Sequence, residues 1–299
     1  MEKLGSQERS SLALDRAAVW RGNLLPEEFA ARNAVLYAHP FGQERMRTFG
    51  LRQGGAWAAS LDAIRVPLLV HSGEGEPQTV DAWHLASVLT LPTFRKQGLA
   101  TTLIHAYLKE EAPSWSTLFS GIGPTFYEGF GYQASPTWQV SRPSGSSIER
   151  PFRALSVEAF TERLRQNRWE SLCATKKPAA VFFPDTLWWD WVGCLYEFFG
   201  KIRGVALPRG RFWEVQTAQG PVWAAGMENP VSHSWDLWWA SDLSEEILAF
   251  FSGKAYAAGL SKLNWWSDQP GSAVSQPAYP MLRSPRPAAL CGVQLGDWW

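Results

Sequence analysis

The segment from Thr90 to Thr101 constrains the fold of this chain more than any other part of the sequence. An apolar run at 85–89 precedes it and is typical of a buried strand. Apolar residues at helical spacing follow it over 99–108. Gly98 lets the backbone come close to a ligand, and Ala100 is small for the same reason. The first amides of a helix lack partners within the helix and attract anions, so this strand–loop–helix segment predicts a phosphate cradle.

Two segments together resemble one enzyme superfamily. The order Arg95-x-x-Gly98-x-Ala100 resembles the acetyl-CoA pyrophosphate loop of the GNAT N-acetyltransferases. A predicted strand over 115–122 is followed at 123–132 by Gly-Pro-Thr-Phe-Tyr-Glu-Gly-Phe-Gly-Tyr. That run is similar to the GNAT segment in which a short helix presents a tyrosine before the next strand. The resemblance covers roughly residues 20–142 and is the basis for every functional expectation below.

The resemblance implies acetyl-CoA as the co-substrate, with its pyrophosphate against the loop. Its pantetheine would pair with the edge of the motif strand, where that strand splays from the next one. A backbone N–H at Val88 or Leu89 would stabilise the oxyanion. The residues implied to bind the cofactor come from the strand end, the loop and the first helical turn: Val88, Leu89, Thr90, Arg95, Lys96, Gln97, Gly98, Leu99, Ala100 and Thr101.

The order of elements in the first half predicts an α+β fold. Helical spacing over 26–37 is followed by two strands, at 46–51 and 56–70, parted by a Gln-Gly-Gly hairpin signal. A loop at 71–77 leads to the motif strand, its helix and a second strand. This order matches the GNAT fold, a central mixed, mostly antiparallel sheet flanked by helices. Residues 1–22 are expected to form a strand or arm.

A Ser-, Pro- and Gly-rich stretch at 136–147 predicts a linker. It divides the chain into an acetyl-CoA-binding catalytic domain, 1–142, and a C-terminal α+β lobe, 143–299, that shapes the acceptor site. The lobe is expected to contain helices at 155–170, 185–199 and 243–260, and strands at 204–207, 212–216, 222–227, 235–239 and 263–266.

The lobe repeats the strands–helix–strand plan of the first half. It lacks the Arg-x-x-Gly-x-Ala motif before its last helix, and the run at 241–246 is acidic where pyrophosphate would need donors. Two interpretations stay open: a degenerate GNAT-like lobe that does not bind CoA, or an unrelated α+β cap.

Amine acetylation needs two groups that handle protons, because the amine must lose one and the leaving thiolate must gain one. By resemblance to the GNAT tyrosine, Tyr127 is the candidate general acid; the alternative is a half-buried packing residue. His84 is the candidate base, because it lies where some GNAT enzymes carry a glutamate and its unperturbed pKa suits proton transfer. It could equally be a packed histidine. The other candidates for the base are Asp81, Glu128 and the terminal carboxylate of Trp299.

Strand alternation predicts which residues share a face with His84: Ala82, Ala86, Val88 and Thr90. The remaining histidines lack a partner pattern and are expected to be surface or packing residues: His39, His71, His105 and His233. Metal-ligand spacing is absent from the sequence.

Composition excludes several classes of function. The chain has 28 basic and 28 acidic residues, which gives no electrostatic footprint for nucleic acid or an acidic membrane. Its three cysteines are far apart in sequence, so a disulfide framework is not expected. The N-terminus lacks a signal-peptide pattern, and no apolar run is long enough to span a membrane, so we expect a cytoplasmic protein. The 18 tryptophans predict either a large aromatic core or an aromatic-walled pocket for a cationic acceptor.

A narrower resemblance bears on the acceptor. Residues 86–92 and 120–132 are similar to fungal lysine N6-acetyltransferases, which also carry a C-terminal extension. Gly121 stands where that family has an acidic residue, and Tyr132 replaces a tryptophan. Mycobacterial-type acetyltransferases with tandem GNAT lobes are a second resemblance. The expected acceptor is a primary amine of a small molecule, with a lysine-like amine favoured. An aminoglycoside or other antibiotic amine, and a non-catalytic acyl-CoA-binding protein, are the alternatives.

Overall fold

A computed structural model describes residues 1–135, 137–145, 148–175, 177–207, 211–267, 274–285 and 288–290. The chain forms two compact units, neither of which is continuous in sequence. Unit 1 comprises Met1–Leu68, Thr79–Ser135 and Tyr279–Ala289. Unit 2 comprises Leu69–Gln78, Pro136–Ala278 and Leu290–Trp299. The assignment of 1–142 to catalysis and 143–299 to acceptor recognition stays a prediction.

Unit 1 begins with helices, so the expected strand or arm over 1–22 is wrong. Its first elements are a two-residue strand and three helices: β1 (Glu2–Lys3), α1 (Ser6–Trp20), α2 (Pro26–Ala38) and α3 (Pro40–Arg45). Leu12, Ala13 and Ala17 give α1 a narrow buried stripe at helical spacing. The carboxylate of Glu8 also accepts from the Gly5 amide at 2.9 Å, which satisfies a free donor at the start of the helix.

The sheet of unit 1 follows the predicted order. Its remaining elements are β2 (Met46–Gln53), β3 (Ala56–His71), β4 (Gln78–Thr90), α4 (Leu99–Glu110), β5 (Ser116–Ser120), α5 (Thr125–Glu128), β6 (Gln133–Ala134) and the second half of β14 (Val274–Arg283), which pairs antiparallel with β5. The hairpin joins β2 and β3 as expected, with Gly54 and Gly55 both at positive φ. β2 and β3 pair antiparallel, whereas β4 and β5 pair parallel across the α4 crossover.

One buried cluster joins α4 to the sheet of unit 1. Leu103, Ile104 and Tyr107 of α4 are completely buried. They pack with Leu85 of β4 and Leu118 of β5 in the same cluster. The crossover helix therefore covers one face of the two parallel strands and fixes where its own N-terminus lies.

Unit 2, like unit 1, contains antiparallel strands followed by a helix and a parallel strand, but its first elements differ from those of unit 1. Its elements are β7 (Thr137–Pro143), β8 (Phe152–Ala154), α6 (Val157–Ala174), β9 (Ala179–Phe182), α7 (Thr186–Ile202), β10 (Arg211–Thr217), β11 (Gly220–Asn229), β12 (Ser234–Ala240), α8 (Glu245–Ala257), β13 (Lys262–Ser267), the first half of β14 (Val274–Arg283) and part of β15 (Ala289–Leu290). β10, β11 and β12 form an antiparallel sheet, and β12 pairs parallel with β13 across α8. The predicted strands–helix–strand plan is confirmed, and its likeness to unit 1 favours a repeat over an unrelated cap.

Two segments of unit 2 differ from expectation. The predicted linker at 136–147 contains β7, because residues 137–143 find an antiparallel partner in the distant strand β13. The predicted strand at 204–207 is instead a turn and an irregular segment that follow the end of α7. Gly204 has a φ of +70°, and the Val205 amide donates to the Gly200 carbonyl at 2.8 Å, which closes the helix.

Tryptophan supplies much of the core of unit 2. Trp189 and Trp238 stack at 5.9 Å between ring centres, and both are buried. Trp213 and Trp235 pack on Phe251 of α8. These four tryptophan rings are therefore core residues, as one of the two expectations for the tryptophans predicts. None of the described helices combines the length and the apolar run needed to cross a bilayer.

Candidate active site at the end of two parallel strands

The two parallel strands of unit 1 separate before they end. Pairing runs from Trp83 with Ser116 to Leu85 with Leu118 and stops there. β4 nevertheless continues to Thr90, and β5 continues to Ser120. The backbone of β4 beyond Leu85 is thus left without β5 as a partner. We call this gap between the strand ends the fork.

A local irregularity in β4 accompanies the fork. Ser87 has a φ of +52°, a left-handed conformation that is uncommon for a residue other than glycine. Such an irregularity interrupts strand alternation and bends the strand. Val88 consequently packs against the cluster that holds Leu85, although strict alternation would place it on the opposite side. The prediction that Val88 shares a face with His84 is therefore wrong, because alternation does not continue through Ser87.

The loop after β4 leads directly into the N-terminus of α4. A short 3₁₀ turn at Pro92–Phe94 is followed by Lys96 and Gly98, whose φ values are +63° and +73°. A Cβ built on Gly98 would meet nothing within 4 Å, so the backbone conformation rather than space favours glycine. The Arg95 side chain donates to the Thr90 carbonyl at 3.3 Å and ties the loop to the end of β4.

The first turn of α4 offers free donors to an anion. The first amide that bonds within the helix is that of Thr102, which donates to the Gly98 carbonyl at 2.9 Å. No side chain caps α4, and no acidic residue lies in its first turn. Arg95 and Lys96 are exposed beside it. Free amides, the positive end of the helix dipole and two cations together favour a phosphate group here.

Neighbouring side chains brace this loop. Gln97 accepts from the side chain of Gln53 at 3.0 Å, which connects the loop to the hairpin between β2 and β3. Leu99 packs against the cluster under α4. The predicted cofactor residues from Val88 to Thr101 are therefore brought together around the fork and the start of one helix.

Tyr127 lies on the short helix α5, as predicted. Its side chain is only 7% exposed, and it packs in the same cluster as Leu85 and Leu118. Burial raises the pKa of Tyr127 to about 12, so the phenol stays protonated at neutral pH. Within the described residues no hydrogen bond of its hydroxyl is found, and the hydroxyl is not one of their fully buried, unpartnered polar atoms. The proton is thus available to a ligand.

Ser120 is a supporting residue that sequence reasoning missed. Its hydroxyl donates to the Gly123 carbonyl and accepts from the Ile122 amide at 3.3 Å. These bonds close the turn that carries the chain from β5 into α5, and so they help position Tyr127. A serine ahead of Gly-Ile-Gly-Pro is a turn signal that could have revealed this role.

His84 lies on the other face of the sheet from Tyr127. The cluster that contains Tyr127 also contains Leu85, and successive strand residues point to opposite faces. The imidazole is 6% exposed, and its Nδ1 lies 3.0 Å from the Thr117 hydroxyl. Burial lowers the pKa of His84 to about 3, so the ring is neutral at physiological pH and is a weak base.

The other candidate bases are placed differently. Asp81 and Glu128 are both exposed. Trp299, whose terminal carboxylate was the third candidate, lies outside the described residues. The identity of the base stays a prediction.

The other histidines have local roles, in agreement with the sequence analysis. The His39 Nδ1 accepts from the Phe41 amide at 3.2 Å at the start of α3. The His71 ring lies within hydrogen-bonding distance of Gly73 and Gly75 in the loop after β3. Across the described part of the chain, no cluster of three or more His, Cys, Asp or Glu side chains could hold a metal.

Unit 2 contains a second fork with opposite electrostatics. β12 and β13 pair from Ser234–Lys262 to Asp236–Asn264, and both strands continue beyond that point. The helix that follows, α8, begins with Glu245 and Glu246. Each carboxylate forms an ion pair with an arginine, Arg142 and Arg150 respectively. Carboxylates in the first turn oppose a phosphate, which agrees with the expectation that this unit does not bind CoA.

Comparison with known proteins places the fold. No protein-family model and no curated protein matches the sequence. A probable N-acyltransferase of unknown function from Enterococcus faecalis superposes with a TM-score of 0.57 at 12% identity, covering 94% of this chain and 71% of that one. A GCN5-related N-acetyltransferase from Kribbella flavida gives 0.57 at 13% identity, with coverage of 93% and 70%. Another from Anabaena variabilis gives 0.55 at 15%, with coverage of 93% and 71%. The chain therefore has the GNAT fold, as predicted.

Proposed function

We propose that this protein is an acyl-CoA-dependent N-acyltransferase that moves acetyl from acetyl-CoA to a primary amine of a small molecule. The observation that carries the proposal is the fork of β4 and β5, beside the uncapped N-terminus of α4. The proteins of similar fold from Kribbella and Anabaena are described as GCN5-related N-acetyltransferases. Their likeness is in fold alone, so the chemistry is argued from this chain's own residues.

The cofactor residues proposed from the sequence fit an acyl-CoA. The pyrophosphate needs donors and positive charge, which the amides of Leu99, Ala100 and Thr101 and the side chains of Arg95 and Lys96 provide. The pantetheine contains amides and so needs an unpaired strand edge. Val88, Leu89 and Thr90 supply one, because β4 continues past its last pairing with β5.

Proton delivery is assigned to Tyr127. Acetyl-CoA would supply a thioester whose cleavage leaves a thiolate that needs a proton. A phenol with a pKa of about 12 is fully protonated at neutral pH, and no hydrogen bond of its hydroxyl is found within the described residues. A backbone amide of Val88 or Leu89 is proposed to donate to the carbonyl oxygen as negative charge develops there.

The base is proposed from four groups: His84, Asp81, Glu128 and the terminal carboxylate of Trp299, the last of which lies outside the described residues. The pKa of His84 is about 3, which makes its imidazole a poor proton acceptor in the free protein. Asp81 and Glu128 are exposed carboxylates near the start of β4 and on α5. If the amine enters the site neutral, the proton that its nitrogen loses on acylation would pass to solvent through either carboxylate.

A lysine-like amine is the favoured acceptor. Its support is the resemblance of residues 86–92 and 120–132 to fungal lysine N6-acetyltransferases. The alternatives are an aminoglycoside or other antibiotic amine, and a non-catalytic acyl-CoA-binding protein. Tyr127 argues against the last, because its uncommitted hydroxyl in the cluster below the fork suits proton transfer.

A thiol-release assay tests the proposal. Purified protein is mixed with acetyl-CoA and, separately, lysine, cadaverine, spermidine and kanamycin, with propionyl-CoA and myristoyl-CoA as alternative donors. Release of CoA that depends on the amine, is fastest with acetyl-CoA and is lost in Gly98→Asp supports the proposal. Binding of acetyl-CoA without amine-dependent release from any acceptor supports the non-catalytic alternative. Absence of acyl-CoA binding by the folded protein overturns the proposal.

A further inference from the structure

A cleft between α1 and α2 lies apart from the residues proposed to bind acyl-CoA. Its volume is about 330 Å³, within the range of small-molecule sites. It is lined by the first half of α1 and the second half of α2, so it occupies the end of the helix pair away from the loop that joins them. Part of its wall is apolar and consists of four alanines: Ala13, Ala30, Ala34 and Ala38.

Arg9 lines this cleft, and the described residues give it no acidic partner. Its guanidinium lies 4.7 Å from the centre of the Tyr37 ring. Its Nε is buried and has no hydrogen-bond acceptor among the described residues. A buried donor without an acceptor is destabilising, and more so when it is charged. A ligand that brings an acceptor would remove that cost.

The groups around the cleft carry an excess of positive charge. Arg9 lines the cleft, and two further guanidinium groups nearby, from Arg16 and Arg32, both interact with one carboxylate, Asp62. Arg16 forms the ion pair with that carboxylate at 2.6 Å. Among the described residues, the Arg32 guanidinium donates to the neutral Asn33 oxygen, at 2.8 and 3.1 Å, and burial lowers the pKa of Arg32 to about 10. No acidic side chain lines the described wall of the cleft.

Asn33 offers a second donor. Its Oδ1 is occupied by Arg32, which leaves the Nδ2 group to donate into the cleft that Asn33 lines. The Ser6 hydroxyl lines the same wall. A guanidinium and an amide that face an apolar wall suit an anionic head on an apolar body. Inorganic phosphate would leave the alanine wall unused.

We propose that this cleft binds a small organic monocarboxylate, whose carboxylate pairs with Arg9 and Asn33 and whose apolar body lies against the alanines. The residues that line this cleft are different from those proposed to bind acyl-CoA, although both sets belong to unit 1. Binding in the cleft would therefore persist if the N-acyltransferase proposal fails.

Calorimetry with benzoate tests the inference. Benzoate should bind the wild-type protein at one site, whereas benzyl alcohol, benzylamine and inorganic phosphate should bind more weakly. Arg9→Gln should weaken benzoate at least about tenfold, roughly 1.4 kcal/mol. Arg21→Gln, at the other end of α1, is the matched control and should leave binding unchanged. Gly98→Asp should also leave it unchanged, which separates this cleft from the anion site at α4.

Two further results would overturn the inference. The first is equal affinity of benzoate for wild-type protein and folded Arg9→Gln, or no binding to wild type at millimolar benzoate. The second is binding of benzyl alcohol as tight as that of benzoate, which would show an apolar cavity only. If Arg9→Gln fails to fold, Ala34→Leu, which fills the cleft from the alanine wall, replaces it. Unchanged benzoate binding in Ala34→Leu would contradict the site.

Discussion

Leu85 of β4 and Leu118 of β5 form the last pair of the parallel ladder, and both strands continue beyond it. Both side chains are buried in the cluster beneath α4, so the packing that holds the strands together ends where the fork begins. The same cluster holds Tyr127. One buried core thus positions the strand edge, the helix N-terminus and the phenol that the proposed reaction uses.

Replacement of Tyr127 by phenylalanine should remove the proposed general acid alone. We expect turnover in the thiol-release assay to fall by about 100-fold, with acetyl-CoA affinity nearly unchanged, because the ring still fills its place in the cluster. Tyr107→Phe is the matched control. The Tyr107 hydroxyl is buried in the same cluster and has no partner among the described residues, so its removal should leave turnover unchanged. Wild-type turnover of Tyr127→Phe would reduce that tyrosine to a packing role.

His84 should make the protein sensitive to acid. The pKa of His84 in the folded protein is about 3, below its unfolded value of about 6.5. The unfolded chain therefore takes up the proton first as the pH falls. Stability contributed by the neutral ring is complete above about pH 6.5 and declines toward pH 3, by up to roughly 1.4 kcal/mol per pH unit.

The variant His84→Gln isolates this effect. Urea unfolding at pH 7, 6 and 5 should show a shallower loss of unfolding free energy in His84→Gln than in wild type. The exposed His105 provides the control, since His105→Gln should keep the wild-type slope. Equal slopes in wild type and His84→Gln would contradict the buried neutral state.

Each chain should bind one acetyl-CoA. The second fork, in unit 2, is followed by a helix whose first turn carries Glu245 and Glu246. Both are paired with arginines, so a pyrophosphate would meet negative charge and already occupied cations. Calorimetric titration should saturate at a ratio of one. A ratio of two would mean that unit 2 binds CoA as well.

A lysine acceptor should be distinguished from its decarboxylated analogue. If lysine is the substrate, the site must provide a hydrogen-bonding or ionic partner for the lysine α-carboxylate. The kcat/KM for cadaverine, which lacks that group, should then be at least about tenfold lower than for lysine, roughly 1.4 kcal/mol. Steady-state rates with lysine, cadaverine and kanamycin at fixed acetyl-CoA measure this directly. Equal or faster rates with cadaverine or kanamycin would exclude the lysine assignment and leave the general amine acceptor.

Local signals were enough to predict the loop and its two flanking elements. The apolar run before Thr90, the glycine at 98 and the helical spacing after it act over a few residues, and the structure contains the strand, turn and helix they indicate. Tyr127 was placed on a short helix for the same reason. The aromatic core of unit 2 was also one of the two expectations drawn from tryptophan content.

Features that depend on distant partners were missed. β7, at 137–143, has a linker-like composition and becomes a strand because two distant strands, β13 and β14, pair with it. The left-handed Ser87 has no signature in sequence, since serine seldom adopts that conformation, and it moved Val88 to the other face. α1 was missed because its apolar stripe is narrow and its surface rich in serine and charged residues.

The central claim is that the loop before α4 binds the pyrophosphate of acetyl-CoA, and titration of Gly98→Asp tests it most directly. The new carboxylate would stand beside the free amides, and the φ of +73° strains any side chain. Gly204→Asp is the matched control, with a φ of +70° and open space at the end of α7. Gly98→Asp should bind acetyl-CoA at least about tenfold more weakly than wild type, whereas Gly204→Asp should bind like wild type. Equal affinity of folded Gly98→Asp and wild type would contradict it.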